Sequence, residues 1–145
     1  MKKKAISILL ISLIILYALA IPVLADQYEV VSLGANLDDS QKQEMLKFFG
    51  VNEDDVQLIE VTNQEEREYL EGLVPDAQIG TRAISSAYVK PLSDGEGIMI
   101  ETKNITWVSK EMFANSMVTA GIKDAKVVAA APFKVSGTAA LTGIM

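Results

Sequence analysis

An arginine near a glycine and a short serine–glycine–threonine motif are the residues of this chain whose types and spacing best fit a binding site. Arg82 is one of only two arginines and opens a predicted strand among small residues, so its guanidinium could clamp a carboxylate. Ser136, Gly137 and Thr138 precede a predicted helix, where unpaired backbone N–H groups could hold an anion. Both features also have ordinary structural explanations, namely an ion pair for the arginine and helix capping for the motif. The four residues are candidates for binding, although the G-x-x-x-x-G-K phosphate-binding loop is absent.

The composition excludes several kinds of catalytic site. The chain has no cysteine and no histidine, which excludes a thiolate nucleophile, a Ser-His-Asp triad, haem ligation and a zinc site with nitrogen or sulfur ligands. Ser85 and Ser86 would need a base beside them, either Lys90 or a carboxylate. Because carboxylates alone can perform acid–base chemistry, a small extracytoplasmic hydrolase or ligand-binding protein using Arg82, a serine and carboxylates is an alternative function. No catalytic residue and no cofactor is assigned.

Two acidic clusters, at residues 52–55 and 94–96, supply the oxygen atoms that calcium prefers. Neither cluster has the twelve-residue EF-hand pattern with its central glycine and final glutamate. Both clusters fit solvated turns better, so the sequence predicts no metal site.

The first 25 residues have the three parts of a secretory signal peptide. Lys2 to Lys4 form a basic start, an apolar stretch runs to Leu24, and Val23 and Ala25 place small residues at the −3 and −1 positions. A retained membrane anchor is the alternative, because about twenty apolar residues can span a bilayer. We expect a signal peptide at 1–25 and one extracytoplasmic domain at 26–145, secreted or kept at the cell envelope.

The domain that would remain after cleavage is acidic. All nineteen acidic residues but only ten of the thirteen basic ones follow Ala25, which gives a net charge of −9. Such a charge argues against nucleic acid and against an anionic membrane surface as partners. The predicted partner is a cell-wall component or an envelope protein, with membrane contact only through an uncleaved signal peptide.

The pattern of apolar residues predicts an α+β domain, a mixed sheet of about five strands with helices packed on it. Residues 56–62 are apolar on both faces, which predicts a covered strand. Asn63 and Glu66 fit a capping box, opening a helix expected to bury Tyr69, Leu70 and Leu73. The turn Ser93 to Gly97 predicts a hairpin between its flanking strands. The remaining predicted strands cover residues 28–33, 82–89, 98–106 and 125–130, and the other helices begin at Asp38, Ser109 and Ser136.

A weak internal repeat relates the two halves of the domain at an offset of 71 residues. Gly50 aligns with Gly121, and the predicted cap Asp38 aligns with Ser109. Each copy reads strand, capped helix, glycine, strand, so we expect two split βαβ units in one sheet. Generic C-cap chemistry could also produce this likeness. In the second copy Phe113 and Met117 share one helix face and are expected to pack on strand 125–130.

Three long segments resemble a known family. They are AQIGTRAISSAYV (77–89), NITWVSKEMFANSMVTAGIKDAKVVAAAPF (104–133) and VSGTAALTGIM (135–145), and VSLGANL (31–37) and EVTNQEEREYL (60–70) are similar too. They resemble the YpuA-like family, a domain of unknown function in secreted proteins of Gram-positive bacteria. The resemblance implies an extracytoplasmic location and adds no activity.

Members of that family continue into a largely helical part, so the resemblance implies that this domain is truncated at its C-terminus. The apolar segment after Ser136 is too short to be stable as an isolated helix. It must dock on the sheet or on a segment beyond residue 145, and the resemblance favours the latter. The function expected overall is a non-catalytic binding or structural role at the cell envelope.

Overall fold

The computed structural model describes residues 28–145, which form one five-stranded sheet with helices on both faces. The predicted signal peptide, residues 1–25, lies outside the described residues. Within residues 28–145 no helix is both long and apolar enough to cross a membrane. In chain order the elements are β1 Val30–Gly34, α1 Asp39–Phe49, a 3₁₀ turn Glu53–Asp55, β2 Gln57–Val61, α2 Asn63–Leu70, α3 Asp76–Ile79, β3 Ser86–Pro91, β4 Ile98–Ile105, α4 Lys110–Thr119, β5 Ala125–Val135 and α5 Thr138–Thr142.

The sheet has the order β2-β1-β3-β5-β4 and is mixed. β1 pairs with β2 in parallel, β4 pairs with β5 in parallel, and β3 runs antiparallel to both β1 and β5. The predicted α+β class with a mixed sheet of five strands is therefore confirmed.

The repeat at an offset of 71 residues corresponds to two βαβ units, β1–α1–β2 and β4–α4–β5. Asp38 accepts a hydrogen bond from the Gln41 N–H at 2.8 Å, and Ser109 caps α4 in the same way. Gly50 and Gly121 follow the two helices with left-handed φ angles of 76° and 81°, which a glycine adopts without strain. The strands of each unit are direct neighbours, so the units are not split as expected; β3 lies between the units.

The predicted hairpin between β3 and β4 is wrong, because β5 lies between these two strands. Residues 125–131 of β5 are small and aliphatic and are buried on both faces except at Lys126, whereas β4 alternates half-buried and exposed residues. An interior place in the sheet buries both faces of β5 and leaves the more polar β4 at the edge.

Two expectations for the segment 56–73 are also wrong. β2 is an edge strand and is mostly exposed, with Leu58 37% accessible. The capping box of α2 begins one residue early: Thr62 accepts from the Glu65 N–H, and Glu65 accepts from the Thr62 N–H at 2.7 Å. Of the residues expected inside, Tyr69 is exposed and Leu70 is buried as expected. Leu73, also expected inside, lies beyond the helix end and is exposed.

The two faces of the sheet carry different helices. α1 alone covers one face, where Met45 and Leu46 belong to a cluster with Val31, Tyr88 and Val128. The other helices cover the opposite face, and there Phe113 and Met117 are fully buried. Met117 packs with Ala125 and Val127 of β5, which confirms the predicted packing of this helix on that strand.

The short last helix, α5, docks on the sheet. All five of its residues are buried, and it contacts β1, β3 and α2. The close approach requires glycine: a Cβ at Gly143 would overlap the Ser32 side chain of β1. The structure therefore shows the last helix docked on the sheet, which is one of the two alternatives given by the sequence.

Candidate functional site

Arg82 is exposed and links two loops. Its Nη2 donates to the Asn36 carbonyl oxygen at 3.2 Å, and the Asn36 side-chain oxygen accepts from the Ala83 N–H at 2.9 Å. The ion pairs found within residues 28–145 do not include this arginine. Its recorded contact is thus to a backbone carbonyl, which holds the segment before β3 against the loop after β1.

The Ser136–Thr138 motif lies inside the protein and bonds to protein groups. The Ser136 and Thr138 hydroxyl oxygens are 3.2 Å apart, and the Thr138 hydroxyl donates to the Gln78 carbonyl oxygen at 3.4 Å. Gly137 has a left-handed φ of 102°, and a Cβ there would lie 2.5 Å from Ile105. This glycine therefore allows the turn into α5 under a packed side chain.

Two backbone N–H groups within α5 also have partners. The Ala140 N–H donates to the Ser85 hydroxyl oxygen at 2.9 Å, and the Leu141 N–H donates to the Gly137 carbonyl. Ser85 is 2% exposed and Ser86 is fully buried. The structure therefore assembles no open group of Arg82, a serine and a carboxylate among the described residues.

Glu66 is a buried acidic residue that the sequence reasoning placed in a cap. Its side chain is 0% exposed; Oε2 accepts from the Asn63 Nδ2 at 3.0 Å, and Oε1 has no hydrogen-bond partner. Burial raises the pKa of this carboxyl, opposed by the Thr138 hydroxyl, the Asn63 amide and the charge of Arg67. Glu66 lies four residues before the buried Leu70, so helical spacing was the available signal for its inward position.

Glu66 and two of the candidate residues belong to one polar cluster, in which Glu66 and Thr138 are buried and the other members are half-buried. We call it the buried polar cluster; it joins α2, α3 and the segment before α5, and its members are Asn63, Glu66, Gln78, Ser136 and Thr138. No recorded hydrogen bond links Arg82 to it. The structure thus brings Ser136 and Thr138 together with Glu66 and leaves Arg82 outside the cluster.

The two acidic clusters lie on the surface. The Glu96 carboxylate accepts from the Ser93 N–H at 2.7 Å, and the Asn52 side chain donates to Asp55 at 2.8 Å. Within the described part of the chain, no three acidic side chains converge in a way that could hold a metal ion. Both clusters organise turns.

A groove of about 410 Å³ opens between β2, α2 and the end of α5. We call it the α2–α5 groove. Tyr69 and Met145 are each about half exposed in it, and Glu65 is half-buried beside them. Glu60, another lining residue, pairs with Lys42 of α1. The remaining lining residues are Ile59, Val61, Thr142 and Gly143. The groove combines apolar surface with acidic side chains and was not foreseen, since Tyr69 was expected in the core.

Comparison with known proteins identifies the family. Residues 33–145 match the family described as "Protein of unknown function (DUF1002)". The chain is also 49% identical over 116 residues to "Uncharacterized protein YpuA" of Bacillus subtilis (strain 168). This chain belongs to the DUF1002 family. The predicted likeness to YpuA is thereby confirmed.

The match covers 80% of this chain and 40% of the Bacillus relative, so the chain spans about two fifths of that protein's length. No solved structure matches this DUF1002 chain. The description of the family names no activity.

Proposed function

We propose that this DUF1002 chain is an extracytoplasmic domain that acts at the cell envelope by binding another envelope protein without catalysis. The observation that carries this proposal is the α2–α5 groove, where the exposed ring of Tyr69 and the acidic Glu65 line the same surface. Aromatic side chains on a surface contribute large contact area, and they are enriched at sites of protein association.

The charge of the groove indicates the chemistry of its occupant. Glu65 lines it with a carboxylate that lowers the local charge, Glu68 and Glu71 are exposed on and just after the same helix, and residues 26–145 carry a net charge of −9. A partner segment with basic and apolar residues would complement both the carboxylates and Tyr69. The proposed occupant is a basic amphipathic segment of an envelope protein.

The positions of the serines and of the Ser136–Thr138 hydroxyls do not support catalysis. Ser85 and Ser86 are buried, and the Ser136 and Thr138 hydroxyls bond to each other and to Gln78. A hydrolase using these groups would need them exposed beside a base. No observation favours that second function.

Site-specific photo-crosslinking in living cells tests the proposal. A photoreactive residue at position 69 should capture one envelope protein with a basic amphipathic segment, and the same residue at position 133 should not. Phe133 is a matched control because it is also an aromatic residue with a comparable exposed fraction, 45% against 52%. Wall polymer captured at position 69, or equal capture at both positions, would contradict the proposal.

The captured segment then serves as a peptide in a binding titration. Tyr69→Ala should weaken binding by about tenfold or more, as for a central aromatic contact, and Phe133→Ala should leave it unchanged. Reversing the charge of the peptide's lysines should abolish binding. Equal affinities of the two variants would place the interface elsewhere.

A further inference from the structure

The carboxyl of Glu66 is enclosed between two helices and has an unused oxygen. It is fully buried, its Oε2 accepts from the Asn63 Nδ2 at 3.0 Å, the Thr138 hydroxyl also acts on the carboxyl, and its Oε1 has no hydrogen-bond partner among residues 28–145. An ionised carboxylate has about four acceptor positions to satisfy. The site therefore suits a neutral carboxylic acid better than a charged carboxylate.

Few charged groups face this carboxyl. On α2, Arg67 acts on it, but the arginine's Nη2 donates to the Gly80 carbonyl at 2.6 Å and not to Glu66. α3 contributes the Gln78 carbonyl oxygen to the cluster. The only titratable residue of α3 is Asp76, and it is exposed. The segment Ser136–Thr138 contributes hydroxyls, and the nearest charged residue before it, Lys134, is exposed. Arg67 is thus the one ionised side chain recorded as acting on Glu66 within the described residues.

We propose that Glu66 is a proton-controlled latch between α2 and α5: while the buried acid is neutral, α2 stays packed against the segment before α5, and the ionised carboxylate draws in water and loosens this packing. α2 and α5 contact each other directly, and residues of α2 and of the end of α5 line the α2–α5 groove. Loss of the proton would therefore change the groove's width. The latch is a property of the free protein and does not rest on the proposed binding function.

The sign of the effect follows from linkage. Because burial raises the pKa of Glu66 in the folded protein, the folded state holds this proton more tightly than the unfolded chain does. The latch contributes fully below the unfolded-chain pKa, and its contribution is lost as the pH rises through the raised folded-state pKa.

Amide hydrogen exchange on the free protein tests the latch. Between about pH 5 and about pH 7.5, protection of α2 and α5, corrected for intrinsic exchange, should fall by about tenfold relative to β5. Glu66→Gln keeps the shape and removes the titration, so it should abolish this pH difference. Glu68→Gln, on the exposed side of the same helix, should retain it.

A titration followed by the carbon-13 resonance of the Glu66 carboxyl gives a second measurement on the unaltered chain. It decides the question even where Glu66→Gln folds poorly. A midpoint above the ordinary glutamate value supports the latch. A midpoint at or below that value, or an unchanged pH difference in Glu66→Gln, overturns it. Because no partner is used, these outcomes are separate from the fate of the proposed function.

Discussion

At the scale of single residues, two glutamates of this chain have opposite surroundings. Glu29 is partly exposed; the Tyr88 hydroxyl donates to it at 2.6 Å, and the Lys90 ammonium lies 2.9 Å away. Both groups stabilise the charged form and lower the pKa of Glu29. Glu66 is enclosed with one unused oxygen, and burial raises its pKa. Glu29 therefore stabilises the fold at the higher pH values, where it is ionised, and Glu66 stabilises it at the lower pH values, where it is neutral.

Glu29→Gln is expected to reduce stability at neutral pH and to have little effect in acid. The folded-state pKa of Glu29 is lowered, so its contribution is present above the unfolded-chain pKa and is lost as the pH falls through the folded value. The loss near neutral pH should be about 1 kcal/mol, since the pair is partly open to solvent.

Urea denaturation at about pH 7 and about pH 3 measures the effect of Glu29→Gln. Glu101→Gln is the control, because the Glu101 carboxylate pairs with Lys126 at 2.9 Å but is 60% exposed. A change of stability that is equal at both pH values would show that Glu29 acts through shape alone.

At the scale of elements, α4 shows how one face of a helix determines its position. Phe113 and Met117, four residues apart, are fully buried against the sheet, and Val118, next to Met117, is 64% exposed. Truncating a buried residue, Phe113, can therefore be compared with truncating an exposed residue, Val118, in the same helix.

Phe113→Ala is expected to cost about 3–5 kcal/mol of unfolding free energy, because it removes a fully enclosed ring. Val118→Ala should cost less than about 0.5 kcal/mol. Urea melts of the two variants provide the comparison. A loss below about 1 kcal/mol for Phe113→Ala would be inconsistent with a ring in the core.

Local signals predicted most elements but not their arrangement. Asp38, Ser109 and the glycines at 50 and 121 mark helix ends through bonds within a few residues, and these helices were predicted. Strand order depends on pairing between distant segments, so the position of β5 between β3 and β4 could not be found from a turn signal. α3, with four residues, is too short to show a periodic pattern.

Only part of the candidate site was predicted, because its residues come from distant parts of the sequence. Ser136–Thr138 was recognised by residue type, but its partner Glu66 lies about seventy residues earlier and was assigned to a cap. The buried side of the helix runs through Glu66 and Leu70, four residues apart, and Tyr69 lies outside it. A buried acidic residue and an exposed tyrosine are the reverse of what residue type predicts, which hid both the buried polar cluster and the groove.

At the scale of the whole molecule, the described fold and the predicted signal peptide occupy separate parts of the chain. β1 begins at Val30, a few residues after the predicted cleavage site. Removal of residues 1–25 would therefore leave every strand of the sheet in place. Export and cleavage remain predictions from the sequence.

Cleavage is expected between Ala25 and Asp26 when the protein is exported. Intact-mass measurement of the exported protein should give a chain that starts at Asp26. Ala25→Phe, which places a bulky residue where the peptidase needs a small one, should block processing and leave the protein at the membrane. A wild-type species that keeps Met1 to Ala25 would identify the segment as a permanent anchor.

The edge position of β4 has a consequence for biosynthesis. β1, β2 and β3 are neighbours and can pair as soon as Pro91 has emerged, but within residues 28–145 β4 pairs only with β5, which is made later. β4 must wait unpaired while α4 and β5 are completed, a period in which a bare strand can associate with other chains. Its polar run from Glu101 to Asn104 provides charge at that stage. We therefore expect the residues that make β4 a poor interior strand to reduce aggregation of the chain before β5 is in place.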